Sequence, residues 1–147
     1  MYPHIGFVDG AWRSTQNISS TTWAIYDPHD DVIDLQGICL GRTTNNIPED
    51  SAIIELLSED ISLGIWELVV NLYSQLVFLQ LNGKYSITNP QIMRMYLLIR
   101  LLEIDIDYIP YHHILRHINT LTDALANLYW IDICETCKNS KHKTFVP

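Results

Sequence analysis

Between Trp66 and Tyr73 the chain reads Trp-Glu-Leu-Val-Val-Asn-Leu-Tyr, a short stretch rich in valine and leucine. Sequences of this kind form parallel strands buried on both faces, so the segment commits the chain to an α/β sheet covered by helices. The segments before it read as strands. His4 to Val8 is short and apolar, Thr21 to Tyr26 is rich in β-branched and aromatic residues, and Val32 to Leu40 is a third candidate. Asp27-Pro28-His29-Asp30 is a turn signal that joins the second and third into a hairpin.

Helical patterns fill the rest. Pro48 suits a first helical turn, where its missing N–H costs nothing, and Ala52, Ile53, Leu56 and Leu57 form an apolar stripe. Ser74 is placed to cap a short helix reaching about Leu81, which Asn82-Gly83 stops. After Asn89-Pro90, the residues Ile92, Met95, Ile99 and Leu102 recur at helical spacing. Asp107 to Ile114 reads as a fifth strand and about Asn119 to Trp130 as a last helix. The expected fold is a mixed five-stranded sheet, three antiparallel strands followed by parallel ones, flanked by helices. It spans residues 3–132 as one domain, followed by a polar, flexible tail over 133–147.

Composition narrows the function. A 147-residue chain with 48% apolar residues suits one soluble domain. The apolar region Ile61 to Leu81 is interrupted by Glu67, Asn71, Ser74, Gln75 and Gln80, so no membrane span is expected. The amino terminus shows no secretory signal, which points to an intracellular protein of nucleus or cytoplasm. Three cysteines are too few for a disulfide framework, and Cys134 and Cys137 with His142 lack the second ligand pair of a zinc knuckle. The net charge is −8, and the tail from Cys134 onward is basic, so the remainder is more acidic still. Phosphate binding rests on Lys and Arg displacing counterions. Lys84, Arg94 and Arg100 are the nearest thing to a basic patch, so nucleic-acid affinity should be modest and salt-dependent.

Four short polar signatures remain. Gly6-Phe7-Val8-Asp9-Gly10-Ala11 follows an apolar run, although Asp-Gly is also a common turn. Thr43-Thr44-Asn45-Asn46 precedes Glu49, an acid also favoured at a helix start by the dipole. Tyr73-Ser74-Gln75-Leu76-Val77 closes the valine-rich strand, and His113-Ile114-Leu115-Arg116 leads through Asn119 to Asp123-Ala124-Leu125-Ala126-Asn127. In this order, and on these elements, the four resemble the motif set of type 1 ribonuclease H in its plant retroelement form, over about residues 5 to 130.

The resemblance implies cleavage of the RNA strand of an RNA–DNA hybrid with a pair of Mg2+ or Mn2+ ions. Asp9, Glu49 and Asp123 would be metal ligands, with His113 assisting proton or product handling. Asn45, Asn46, Gln75, Arg116 and Asn119 would contact nucleic acid, the asparagines lying where a 2′-hydroxyl separates RNA from DNA. The chain departs from the family at the fourth acid, because Tyr73 stands where the pattern has aspartate. A phenol ionises near pH 10 and offers one oxygen at the tip of a ring, a poor ligand for a hard cation. Pro48, Asp50 and Leu115 also replace the family's alanine, tyrosine and proline, and Asp50 sets a second negative charge beside Glu49. Each of these four changes is reachable by one nucleotide substitution, as in a captured retroelement fragment. Three classes follow: a weakened nuclease, a non-catalytic nucleic-acid binder, or a protein-interaction module on the old scaffold. The chain is expected to be a monomer.

Overall fold

The computed structural model describes residues 2–13, 18–42, 47–115 and 142–144. Strands β1 (His4–Arg13), β2 (Ile18–Tyr26) and β3 (Val32–Arg42) form an antiparallel meander. Helix α1 (Ile47–Ser62) leads to strand β4 (Leu68–Leu72), followed by α2 (Gln75–Leu81), α3 (Pro90–Glu103) and β5 (Tyr111–His113). Strand β4 is inserted between β1 and β5 and is parallel to both. The five strands and three helices reproduce the mixed sheet expected from the sequence. A sixth strand, β6 (His142–Thr144), pairs antiparallel with β3, giving the order β5-β4-β1-β2-β3-β6. No element had been expected in that part of the tail.

The core lies between the sheet and α1. Ala52, Ile53, Leu56 and Leu57 are fully buried against Val8, Ile25, Leu68, Val70 and Leu72. Gly6 lets α1 pack closely on β1: a Cβ there would stand 2.8 Å from a methyl of Leu56, which would have to move. Helix α3 packs against α1 and buries Ile92 and Ile99, two of the four positions of its stripe. Its start is capped by Asn89, whose side chain accepts from the N–H groups of Gln91 and Ile92, with Pro90 in the first turn. Its end is tied down by Arg100, which pairs with Glu103 at 2.8 Å, donates to the Leu81 carbonyl and lies 4.8 Å from the Tyr96 ring centroid. The Tyr111 hydroxyl donates to Glu103 as well. Arg100 is therefore a structural clamp across α2, α3 and β5 rather than a phosphate contact.

Several boundaries differ from the sequence reading. Asp9-Gly10 is no turn: β1 runs straight through both residues, because its ladder with β2 extends from Ile5–Tyr26 to Arg13–Ile18. Strand β4 starts at Leu68, with Glu67 making only an isolated bridge to Tyr108. Strand β5 is confined to three residues after Pro110, which has no N–H to give to a ladder. The Asp27–Asp30 turn forms as expected, with the Asp27 carboxylate accepting from the N–H groups of His29 and Asp31. The last expected helix, Asn119 to Trp130, lies outside the described residues.

Candidate active site

The carboxyl ends of β4 and β5 meet the amino end of α1. Glu49 lies in the first turn of α1 and is 6% exposed. Its Oε1 accepts from the backbone N–H groups of Tyr73 at 3.2 Å and Ser74 at 3.3 Å. These donors are 24 and 25 residues away in sequence, so the carboxylate fastens the start of α1 to the point where β4 ends. Ser74 also caps α2, its hydroxyl accepting from the Val77 N–H.

Asp9 is fully buried on β1 opposite Thr22. On the other side, the β1–β4 ladder pairs Phe7 with Asn71. Two residues further along each strand stand Asp9 and Tyr73. The aromatic residue thus stands just past the end of β4, level with the first acid, and supplies one of the two N–H groups that Glu49 engages. Tyr73 is itself buried. His113 ends β5, with Nε2 3.0 Å from the Tyr73 carbonyl oxygen and its ring 5.9 Å from that of Phe78. Gln75 opens α2 at the surface beside this cluster.

Asp9, Glu49, Tyr73 and His113 therefore gather around one end of the parallel strands. Asn45, Asn46, Arg116, Asn119 and Asp123 lie outside the described residues. The main-chain anchor of Glu49 and the Phe78–His113 contact were not visible in the sequence, because both are long-range.

Asp50, the neighbour of Glu49, is also buried, and its Oδ2 has no hydrogen-bond partner. Burial, aided by the negative charge of Glu49, pushes its carboxyl up to about 7. The second charge expected at this turn is thus partly neutralised by a proton. Among the described residues, no three His, Cys, Asp or Glu side chains are grouped to hold a metal ion. Two carboxylates, one of them already accepting two N–H bonds, and a phenol do not by themselves fit the pair of hard cations that four acids would hold.

The fold and this strand-end site define a class, and the sequence profile of the reverse transcriptase-like family matches residues 7–129. The chain belongs to that family, whose fold is ribonuclease H-like. It is 30% identical over 121 residues to ribonuclease HI of Halobacterium salinarum, covering 82% of this chain and 61% of that protein. It is 33% identical over 88 residues to a bifunctional protein of Mycobacterium tuberculosis, covering 60% of this chain. The chain spans only about a quarter (24%) of that relative's length.

Among solved structures, RNase H1 of Halobacterium salinarum superposes with a TM-score of 0.82 at 28% identity, over 89% of this chain and 99% of the other. LC11-RNase H1, solved in complex with an RNA/DNA hybrid, superposes with a TM-score of 0.82 at 25% identity, over 90% and 99%. Ribonucleases H as a family use divalent metals. No helix among the described residues is long and apolar enough to cross a membrane.

Proposed function

We propose that this chain is a ribonuclease H-like domain whose cleavage of RNA–DNA hybrids is abolished or lowered by at least about 10²-fold, the scale on which one lost electrostatic contributor acts. The observation that carries this reading is Tyr73, buried just past β4 at the level of Asp9, with its own N–H donating to Glu49. Asp9, Glu49 and Asp123 remain as the residues to hold Mg2+ or Mn2+, and those ions would supply the charge for water activation in an intact member. Two of the remaining site residues have defined contacts. Glu49 is oriented by two main-chain donors, and His113 is positioned by the Tyr73 carbonyl and Phe78.

Asn45, Asn46, Gln75, Arg116 and Asn119 would form the nucleic-acid face, and affinity should fall steeply with salt. Cleavage of a labelled RNA–DNA hybrid in magnesium and in manganese tests the reading. Turnover at the level of an intact ribonuclease H would refute it. The formal charge of −8 favours a second reading, a non-catalytic protein-interaction module descended from a retroelement. It predicts a soluble partner and no hybrid binding.

A further inference from the structure

The opposite end of the parallel strands is built differently. Helix α1 finishes there, the chain turns through Leu63 and Gly64 (φ 72°), and Trp66 precedes β4. The connection from α3 to β5 crosses beside it, with the N–H groups of Asp107 and Tyr108 both donating to the Trp66 carbonyl. Between the two connections lies a groove of about 380 Å³, lined by Ile61, Ile65, Trp66, Ile104, Asp105 and Asp107. Trp66 is 64% exposed and Ile104 77%, with Leu63, Leu101 and Tyr108 exposed as well. Large apolar side chains gathered at one surface mark interaction sites more often than scattered ones do.

Among the described residues of these two connections, the charge has one sign. Residues 59–67 and 103–108 hold Glu59, Asp60, Glu67, Glu103, Asp105 and Asp107, with no Lys, Arg or His. The Arg100 guanidinium is engaged by Glu103 and a carbonyl. Helix α1 has no basic residue in its last turn, so its negative dipole end adds to the acids. Asp60 is fully buried in that turn region with neither carboxylate oxygen hydrogen-bonded.

An acidic rim around an apolar floor repels nucleic acid and a like-charged second copy of the same face. Of the chain's own tail, the described residues His142–Thr144 pair with β3 at the sheet edge opposite β5. We propose that this groove docks a lysine- or arginine-rich amphipathic segment of a partner protein. A large apolar side chain of that segment enters beside Trp66 and Ile104, and its basic residues face Asp105 and Asp107. This is helix-in-groove recognition with a tryptophan anchor. It stands apart from the strand-end site, roughly 18 Å away along α1 at 1.5 Å per residue.

The full chain is titrated with a fluorescein-labelled synthetic peptide of about 18 residues, with leucines along one helical face and lysines elsewhere. Saturable binding at physiological salt is expected, weakened by about tenfold or more in Trp66→Ala and in Asp105→Asn/Asp107→Asn. Thermal unfolding of each variant confirms that it folds. Four results would overturn the proposal: no binding, equal binding by a scrambled peptide lacking the apolar face, unchanged affinity in the variants, or Trp66-dependent self-association in sedimentation. Binding that appears only after deletion of residues 134–147 would assign the groove to the chain's own tail and overturn it too. Hybrid cleavage enters none of these readouts, so failure here is distinguishable from failure of the nuclease reading.

Discussion

Glu49 and Asp60 sit on one helix, both buried, about 16 Å apart along its axis. Glu49 lies at the positive end of the α1 dipole and accepts two main-chain N–H bonds. Asp60 lies toward the negative end, with no hydrogen bond to either oxygen, and burial pushes its carboxyl up to about 7. A buried acid with donors is held in position for chemistry. A buried acid without them makes the fold less stable once it ionises. One belongs to the end of the sheet that carries the candidate site; the other belongs to the end proposed to receive a basic partner.

The sharpest way to separate the two ends is to restore the missing acid at one of them. Tyr73→Asp should raise magnesium-dependent hybrid cleavage by about 10²-fold or more over the natural sequence, and adding Glu49→Gln should remove the gain. Asp60→Asn in the same background should leave that turnover unchanged. A hybrid-cleavage assay with all three variants would break the comparison if Asp60 mattered and Glu49 did not. A smaller effect is expected on stability. Glu49→Ala removes the acceptor of two N–H groups at a buried corner and should cost about 2 kcal/mol in urea unfolding.

The pH dependence of Asp60 has the opposite sign to that of a salt-bridged acid. Its folded value, about 7, lies above the ordinary 3.8, so the native state holds a proton that the unfolded state has released. The penalty is absent below about pH 4, grows between pH 4 and 7, and is complete above that. Urea unfolding of Asp60→Asn should show a loss of stability over this window shallower than that of the natural chain by about 1–2 kcal/mol, allowing for solvent screening. An unchanged slope would mean that Asp60 is relieved by some other group. The smallest change is expected at Ser74→Ala, which removes the α2 cap and should cost about 1 kcal/mol.

Much of this architecture could be read from local pattern. The stripe Ala52, Ile53, Leu56 and Leu57 and the cap Asn89-Pro90 depend on neighbours within a few residues, and both formed as expected. The run through Asp9-Gly10 was ambiguous because the dipeptide favours a turn locally, while the long ladder with β2 favours a strand and prevails. Glu49 could be singled out by its resemblance to the family motif, but not the main-chain donors that hold it, which arrive from 24 and 25 residues downstream. Asp60 follows Ile53, Leu56 and Leu57 on the inward face of α1, so its burial was implicit in the period, although its charge argued for solvent. Trp66 read as the first residue of a strand; the turn before β4 leaves it outside, where side-chain type alone gives no warning.

The contacts of Glu49 and His113 at position 73 share a property: one engages its amide hydrogen and the other its carbonyl oxygen. Neither depends on which side chain the residue carries. The scaffold grips that site by the peptide itself, so an acid could be exchanged for a ring there without dismantling the corner around it. On the proposed reading, chemistry at this position could be lost, and restored by a change in one codon, without disturbing the fold.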